Sequence, residues 1–355
     1  MSELRLVRLI EPDGSASGDD RYALPAPGEL LEHYRALVRG RRFNEQASAL
    51  VRQGRLAVYP SSHGQEACQV AAAAVLRDGD WLFPTYRDSV AAVERGVDPV
   101  EVMLLLSGDW HCGYDPMRHH VAPQATPLAT QLPHAVGVAH AARLKGEDTV
   151  VLALCGDGAT SEGDFHEALN FAAVFRAPVV FLVQNNKYAI SVPLARQSVA
   201  SSLAAKGEGY GMPSALVDGN DVAALTAVLG EAVRRAAGGD GPTLMEADTY
   251  RMDAHTNADD ASRYRDDAEV TEWARRDPLV RLRAHLRAAG VLDDEEERAI
   301  AESAEQTAAY LRTGLSADSE PDPAELFAHV YAGPAPHLAA QAELLAAELT
   351  AEVHS

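Results

Sequence analysis

Residues 149–190 constrain the fold of this chain more than any other segment. An apolar run ends in Gly-Asp-Gly at 156–158, a helical pattern follows over 162–175, and a second apolar run ends in Asn-Asn at 185–186. Two wholly apolar runs joined by one helix are typical of parallel strands that are buried on both faces. Strands connected in this way are usually neighbours, so their carboxyl ends meet at one edge of the sheet. The segment therefore predicts an α/β fold with a ligand site at that edge.

The side chains at the ends of these two strands suit a divalent cation and a phosphate group. Asp157 contributes a carboxylate and Asn186 an amide oxygen, and Mg²⁺ prefers oxygen ligands of this kind together with substrate phosphates. The flanking glycines allow close approach of the backbone, and the helix that begins near Glu162 points its N-terminus at the same place. Either half alone is ordinary turn or loop chemistry. The two halves across one strand–helix–strand unit predict a site for Mg²⁺ and diphosphate.

The charge balance restricts the possible partners. The chain carries 31 Lys and Arg against 52 Asp and Glu, a formal net charge of −21, which argues against nucleic acid or an anionic membrane surface. Cys68, Cys112 and Cys155 form no metal-binding pattern, and the first residues show neither a signal-peptide nor a transit-peptide pattern. We therefore expect reduced thiols and a cytoplasmic protein.

The chain is predicted to have three parts. Residues 1–28 are expected to form an irregular N-terminal arm, 29–265 a diphosphate-binding α/β domain, and 266–355 a helical C-terminal extension that packs on the body and on partner subunits, interrupted at 318–323. In the body, apolar runs alternate with helical patterns, which predicts a parallel sheet with helices on both faces. The predicted strands are 150–155, 178–184, 214–217 and 243–247, and the predicted helices are 29–53, 64–76, 162–175 and 221–237.

Two further positions are candidates for phosphate contact. Arg87 follows Tyr86 just after an apolar, strand-like run, where a planar guanidinium can bind phosphate. On sequence alone, a surface salt bridge with Asp88 is the favoured alternative. His255 lies in a polar loop after the last apolar strand. A lone loop histidine is more often solvated, but its position at the carboxyl edge of the sheet favours a functional role.

Residues 125–131, Ala-Thr-Pro-Leu-Ala-Thr-Gln, offer carbonyl and hydroxyl oxygens without charge. Such a segment could hold a cofactor ring or a monovalent cation, and simple packing is the alternative. His111, His119 and His120 lack a supporting carboxylate, so we interpret them as loop residues rather than a metal site.

The order and spacing from Gly-Asp-Gly to Asn-Asn match the signature of thiamin-diphosphate enzymes. From about residue 30 to about residue 345, the chain resembles the alpha subunits of the thiamin-dependent 2-oxoacid dehydrogenases. The segments that carry this resemblance are Tyr-Arg-Asp at 86–88, Pro-Leu-Ala-Thr-Gln at 127–131, Gly-Asp-Gly-Ala-Thr-Ser-Glu-Gly-Asp-Phe-His at 156–166, Asn-Asn-Lys-Tyr-Ala-Ile-Ser at 185–191, Val-Asp-Gly-Asn-Asp at 217–221 and Thr-Tyr-Arg at 249–251. Within that family the branched-chain type is most similar, as Gly-Tyr-Gly at 209–211, Asp-Asp at 259–260 and Leu-Phe-Ala-His-Val-Tyr at 326–331 indicate. The pyruvate type is a weaker match towards the C-terminus.

The resemblance implies a thiamin-diphosphate-binding fold with thiamin diphosphate, Mg²⁺ and K⁺ as cofactors. The implied Mg²⁺ ligands are Asp157, Asn186 and the main-chain carbonyl of Tyr188. The implied contacts are Tyr86, Arg87, Gly158, Ala159 and His255 at the diphosphate and Thr126 and Leu128 at the aminopyrimidine, and Asp157, Gln184 and Asn186 complete the cofactor-binding set. The implied K⁺ site consists of the carbonyls of Ala125 and Pro127 with Thr130 and Gln131. Two positions depart from the family pattern: Gln184 stands where branched-chain relatives often carry an arginine that reaches the phosphates, and Ala125-Thr126 stands where relatives commonly show serines.

By the same resemblance, the protein catalyses the oxidative decarboxylation of branched-chain 2-oxoacids and passes the acyl group to a lipoyl acyltransferase. His255 is the predicted catalytic residue. The carboxylate that activates the cofactor is expected from a beta subunit, so we expect an α₂β₂ heterotetramer and little activity from this chain alone. Pyruvate or acetoin is the alternative substrate, and a non-catalytic assembly subunit is the alternative from a different class. Thr256 stands where mitochondrial relatives carry a regulatory serine.

Overall fold

The computed structural model describes residues 4–108, 111–315, 322–328 and 330–353. Most of the predicted interruption at 318–323, and His329 of the tail segment, lie outside these residues.

The body is built on one parallel sheet. The strands of the chain are β1 (Leu6–Val7), β2 (Trp81–Phe83), β3 (Val151–Gly156), β4 (Val179–Asn185), β5 (Tyr188–Ala189), β6 (Val192–Pro193), β7 (Ser214–Asp218) and β8 (Thr243–Asp248). The sheet order is β1-β7-β8-β4-β3-β2 with every pair parallel, while β5 and β6 form a separate antiparallel pair. The four predicted strands are confirmed, with boundaries within one residue of those expected.

Helices surround this sheet, and further helices are found among the described residues up to 353. They are α1 (Pro27–Arg52), α2 (Glu66–Ala74), α3 (Ser89–Glu94), α4 (Pro99–Ser107), α5 (Pro116–His119), α6 (Gln131–Lys145), α7 (Gly163–Phe175), α8 (Val222–Ala237), α9 (Asp267–Ala274), α10 (Pro278–Ala288), α11 (Asp294–Gly314), α12 (Glu325–Ala328) and α13 (Pro336–Val353). The four predicted helices correspond to α1, α2, α7 and α8. The second is shorter than predicted because Gly64 has a positive φ of 96° and is not helical.

Both faces of the sheet are covered by helices. In β3, Leu152 and Leu154 belong to one apolar layer together with residues of α1, α2 and α8. Val151, Ala153 and Cys155 belong to the opposite layer, with residues of α6 and α7. This alternation is the two-residue period of a strand, and burial of each larger side chain contributes about 1.5–3 kcal/mol. The predicted fold class is therefore confirmed.

The N-terminal arm is regular over a short stretch, which the sequence did not predict. β1 pairs with β7, and the N–H groups of Leu9 and Ile10 donate to Oδ2 of Asp221 at 2.7 and 2.8 Å. The other carboxylate oxygen of Asp221 accepts from the N–H groups of Ala223 and Ala224 at the start of α8. One buried carboxylate thus joins the arm to a helix of the body. A two-residue strand shows no periodicity, which is why it escaped prediction.

The C-terminal helices differ in how they are packed. Residues Ile300, Ala304, Ala308 and Leu311 of α11 are buried, and this helix packs on α1 together with α10. By contrast, α13 has no buried residue among its described side chains. The three domain boundaries remain a prediction. Within the described residues, no helix combines the length and the apolar character needed to cross a membrane.

Candidate cofactor and metal site

Strands β2, β3, β4 and β8 end at one edge of the sheet, where the loops that follow them enclose a cavity of about 140 Å³. The pairing of Gly156 with Gln184 places the residues that follow β3 and β4 side by side. The cavity is lined by Gln65, Thr85, Tyr86, Arg87, Ala125, Pro127, Leu128, Ala129, Gln131, Gly156, Asp157, Gly158, Ala159, Gln184, Asn186, Tyr188, Ala189, Ile190, Arg251 and His255. It lies at the edge that the strand–helix–strand unit predicted.

Most residues predicted for the site line this cavity. From the cofactor and Mg²⁺ sets they are Tyr86, Arg87, Leu128, Asp157, Gly158, Ala159, Gln184, Asn186, Tyr188 and His255, and from the K⁺ set they are Ala125, Pro127 and Gln131. Two do not line it: Thr126 is exposed, and Thr130 directly precedes α6. The side-chain nitrogen of Gln131 donates to the carbonyl of Leu154 at 2.7 Å. Proximity is thus established for most of these residues, whereas ligand contact remains a prediction for all of them.

Asp157 is a buried carboxylate without an ion-pair partner among the described residues. It follows β3 and accepts a hydrogen bond from Nε2 of Gln197 at 2.9 Å. Burial raises the pKa of Asp157, and the hydrogen bonds from Gln197 and from the Asn186 backbone oppose that shift. A buried carboxylate is stable only when a positive charge or several donors compensate it. The site therefore favours a cation beside Asp157.

The loop after β4 holds a strained backbone next to Asp157. Lys187 and Ile190 have positive φ values of 77° and 56°, which are uncommon for residues other than glycine. Arg251 donates to the carbonyls of Tyr188 and Ile190 at 3.2 and 2.7 Å, and these hydrogen bonds stabilise the conformation of the loop. Such strain persists where surrounding contacts impose it, typically at ligand sites.

Two buried arginines, Arg87 and Arg251, also line the cavity. Arg87 donates to the carbonyls of Ser61 and His255 at 2.8 and 3.1 Å, and Arg251 is 1% exposed. Neither forms an ion pair with a carboxylate in the part of the chain that the structure describes. The favoured alternative for Arg87, a surface salt bridge with Asp88, is wrong, because Arg87 is buried and Asp88 instead accepts from Thr85 and Gln184. Two adjacent unpaired guanidinium groups create a site for an anion.

His255 bridges the two arginines. Its Nδ1 lies 3.0 Å from Nη2 of Arg87 and 3.5 Å from Nη1 of Arg251. Burial, followed by the charges of Arg87 and Arg251, lowers the pKa of His255 to about 4. The ring is therefore neutral near pH 7, and since Nδ1 accepts from Arg87, its proton lies on Nε2. The ring of Tyr86 makes an edge contact with it, at 6.1 Å between centroids.

Three residues that shape this site were not predicted from the sequence. Arg251 was noted only within a family segment, Gln197 is the hydrogen-bond donor to Asp157, and Gln65 donates to Gln184 and accepts from Asn186. Glutamines carry no sequence signal of function, and the burial of Arg251 depends on the folded loop above it. Only the arginine at the carboxyl end of the last strand offered a clue, by the reasoning applied to Arg87.

A second cavity of about 470 Å³ lies behind the loop that carries His255. It is lined by Arg41, Asn44, Glu45, Ser48, Val51, Arg52, Tyr59, Ser61, His63, Asp253, Ala254, Thr256 and Asn257. Thr256, which the resemblance aligns with a regulatory serine of mitochondrial relatives, is half-buried on this side of the loop. The loop therefore separates the two cavities, and modification of Thr256 remains a prediction.

The donor set in the first cavity fits Mg²⁺ held together with phosphate. Asp157, Asn186 and the Tyr188 carbonyl offer oxygen ligands, which Mg²⁺ prefers. Among the described residues there is no group of three or more His, Cys, Asp or Glu that could hold a metal ion alone. A cation bound at Asp157 thus needs further oxygens from its ligand, and the two arginines that line the same cavity suit an anionic ligand.

Comparison with known proteins relates this geometry to one family. A family model described as dehydrogenase E1 component matches residues 34–310. The 3-methyl-2-oxobutanoate dehydrogenase subunit alpha of Mycobacterium tuberculosis is 47% identical over 348 residues, which cover 98% of this chain and 95% of that protein. The pyruvate dehydrogenase E1 component subunit alpha of Staphylococcus aureus is 36% identical over 304 residues, which cover 85% of this chain and 82% of that protein. The corresponding Staphylococcus epidermidis subunit is 35% identical over the same length.

Proposed function

The chain belongs to the dehydrogenase E1 component family, and from this premise we propose that it is the alpha subunit of a thiamin-diphosphate-dependent branched-chain 2-oxoacid dehydrogenase. The observation that carries the proposal is the shared cavity, in which oxygen ligands at Asp157 and Asn186 occupy one space with the buried arginines 87 and 251, which have no carboxylate partner among the described residues. A magnesium-bound diphosphate complements both the oxygen ligands and the arginines. The near full-length similarity to the mycobacterial alpha subunit supports a branched-chain 2-oxoacid as the substrate.

Each group of residues has a distinct role in this proposal. When bound, thiamin diphosphate would supply the carbon nucleophile for decarboxylation of the 2-oxoacid. Mg²⁺ would be held by Asp157, Asn186 and the Tyr188 carbonyl, and the diphosphate by Tyr86, Arg87, Arg251, His255 and the backbone of Gly158 and Ala159, with Thr126 and Leu128 bordering the ring. The Nε2 proton of His255 is available to an oxygen of the substrate or of the phosphate.

A beta subunit would complete the site. Cofactor pockets usually measure roughly 300–1,000 Å³, and the cavity of this chain measures about 140 Å³. At its lining, Leu128 is 43% and Ile190 55% exposed, although both are apolar. These side chains suit burial against a partner or a cofactor ring. We therefore propose an α₂β₂ heterotetramer that transfers the acyl group to a lipoyl acyltransferase in the cytoplasm.

The alternatives differ in what supports them. Pyruvate is the second candidate substrate, because the staphylococcal relatives named for pyruvate dehydrogenase also match most of the chain. A non-catalytic assembly subunit is disfavoured, since buried unpaired charges are costly to retain in a protein that binds no ligand. A K⁺ site at Ala125, Pro127, Thr130 and Gln131 remains part of the proposal, although Thr130 does not line the cavity.

The test is turnover by the chain purified together with its beta subunit. We expect Mg²⁺- and thiamin-diphosphate-dependent decarboxylation of 3-methyl-2-oxobutanoate, with a higher kcat/KM than for pyruvate, and no turnover by Asp157→Ala. A higher kcat/KM for pyruvate would favour the second candidate. Absence of turnover with every 2-oxoacid, together with no binding of the cofactor, would favour the assembly subunit.

A further inference from the structure

A chain of buried side-chain amides runs beneath the candidate metal site. Gln184 donates from Nε2 to Oδ1 of Asp88 at 2.7 Å, and Gln65 donates from Nε2 to Oε1 of Gln184 at 3.1 Å. Asn186 then donates from Nδ2 to Oε1 of Gln65 at 2.8 Å. All four residues are 5% exposed or less. The series therefore connects a buried carboxylate through two glutamine amides to the amide of Asn186, the predicted metal ligand.

The carboxylate at one end favours one direction for the hydrogen bonds that follow it, and the Tyr188 backbone N–H, which donates to Oδ1 of Asn186 at 3.3 Å, supports the same orientation at the other end. Oδ2 of Asp88 accepts from the backbone N–H and from the hydroxyl of Thr85, both at 2.7 Å, and an ionised carboxylate has no proton to donate from Oδ1. Gln184 must therefore present its NH₂ group to Asp88 and its oxygen to Gln65. Gln65 must then present its NH₂ group to the oxygen of Gln184 and its own oxygen to the NH₂ group of Asn186.

We propose that Asp88, Gln184 and Gln65 are positioning residues that orient the Asn186 amide so that its oxygen, rather than its NH₂ group, is directed to the cation beside Asp157. This inference rests on the proposed function, because it assumes a divalent cation at that place. An amide can bind in either of two orientations, and only one offers a metal ligand. Partners behind a metal ligand typically affect metal affinity by about 10–100-fold.

The proposal also explains the departure at residue 184. The sequence resemblance expects an arginine that reaches the phosphates at this position. Gln184 instead uses both polar atoms of its side chain in buried hydrogen bonds with Asp88 and Gln65. We therefore assign Gln184 the role of fixing the orientation of the Gln65 amide. The positive charge near the predicted phosphate site comes from Arg87 and Arg251.

Reversing the direction of this series of hydrogen bonds provides the test. In Asp88→Asn, the new amide keeps its oxygen on the Thr85 N–H and turns its NH₂ group towards Gln184, so that every amide inverts. Asn186 is then driven to turn its NH₂ group towards the cation, which also breaks the hydrogen bond from the Tyr188 N–H, and we expect the affinity for Mn²⁺ to fall by about 10-fold or more. In Asn186→Asp alone, the new carboxylate meets the oxygen of Gln65, and affinity also falls. In Asp88→Asn/Asn186→Asp the new carboxylate accepts from the inverted Gln65, and affinity recovers.

The measurement is Mn²⁺ binding, followed by electron paramagnetic resonance, to the full chain with its beta subunit and inorganic diphosphate, and it requires no turnover. Asp80→Asn is the matched control, because Asp80 is equally buried but accepts from Arg77 and the Val150 N–H near the start of β2. We expect that variant to lose stability while keeping its Mn²⁺ affinity. Circular dichroism confirms that each variant is folded.

The outcomes separate this inference from the proposed function. If the wild type binds Mn²⁺ and the double variant binds more tightly than either single variant, the orientation mechanism is supported. If the wild type binds Mn²⁺ but Asp88→Asn binds equally well, or the double variant is no better than the single ones, the mechanism is overturned while the metal site stands. If the wild type binds no Mn²⁺, the metal site and the inference both fail.

Discussion

His255 lies between two arginines, and this position determines what its ring can do. With a pKa of about 4 the ring is neutral, and its Nε2 proton is free to donate into the cavity. His255→Ala removes this donor, so we expect the reductive acylation rate of the assembled enzyme to fall by about 10²–10³-fold. Lipoyl-domain acylation measures this rate, and the unfolding free energy should change little. Thr256→Ala, one residue along the loop, is the control, and equal loss in both variants would remove the role of His255.

The same histidine makes stability depend on pH. Its pKa is about 4 in the folded chain and near 6.5 when unfolded, so between these values only the unfolded chain binds the proton. The contribution of His255 to the free energy of unfolding therefore decreases as the pH falls from about 6.5 towards 4, and is constant above that interval. We expect His255→Gln to flatten this dependence. Urea denaturation of both proteins at about pH 7.5 and about pH 5 measures it, and parallel curves would contradict the assignment.

At the scale of elements, the start of the helical turn after β3 is in close contact with the β5–β6 pair. A Cβ at Gly158 would lie 2.8 Å from the Cβ of Ala189, so Gly158→Ala must displace the loop that carries the Tyr188 carbonyl. We expect a loss of about 1–3 kcal/mol in unfolding free energy and a larger loss of cofactor affinity. Gly163→Ala is the matched control, because a Cβ there meets nothing within 4 Å. Denaturation and calorimetric titration distinguish the two, and equal behaviour would refute the close contact.

Asp221 joins two segments that are distant in sequence, the residues just after β1 and the start of α8. Asp221→Ala leaves four N–H groups without their acceptor, two in the arm and two in the first turn of the helix. We expect a loss of about 3 kcal/mol, since each unsatisfied buried donor costs about 1–3 kcal/mol and relaxation recovers part of it. Asp266→Ala, which removes an exposed cap of α9, should cost only about 1 kcal/mol. Thermal or urea unfolding measures both, and similar losses would indicate that the arm is not held by Asp221.

How much of the fold could be predicted from the sequence differs from element to element. β3, α7 and β4 were predictable because their apolar periods are long, and the register of parallel strands then brought Asp157 and Asn186 together. β1 was not predictable from two residues. Side chains whose role depends on hydrogen bonds across the fold, such as Gln65 and Arg251, were also missed, because neither their burial nor their partners are encoded nearby in the sequence. Thr126 and Thr130 were candidates because of their hydroxyls, and their individual roles came from the resemblance, but they lie outside the cavity lining.

At the scale of the whole molecule, positive charge is concentrated where the diphosphate is expected. The chain has a net charge of −21, yet two arginines are buried without carboxylate partners within its described residues. An overall negative field repels an anionic ligand at long range, whereas buried local charges act at short range with little screening by salt. Binding of the diphosphate is thus expected to depend on these few side chains and on Mg²⁺ rather than on net charge.

This concentration of positive charge predicts that the chain by itself recognises the diphosphate of the cofactor more than its ring. The chain supplies oxygen donors and arginines for the diphosphate, but only a small, partly exposed apolar surface for the ring, with Leu128 43% exposed. We therefore expect the isolated chain, in the presence of Mg²⁺, to bind inorganic diphosphate and thiamin diphosphate with similar affinity. Adding the beta subunit should tighten only thiamin diphosphate, because burying the ring adds contacts that inorganic diphosphate cannot make.

Calorimetric titration of both ligands into the chain alone and into the complex measures this difference. Asp157→Ala should weaken both ligands in both samples, since it removes a predicted Mg²⁺ ligand that they share. If the isolated chain prefers thiamin diphosphate by as much as the complex does, the ring site lies within this chain, and the two-subunit site would have to be abandoned.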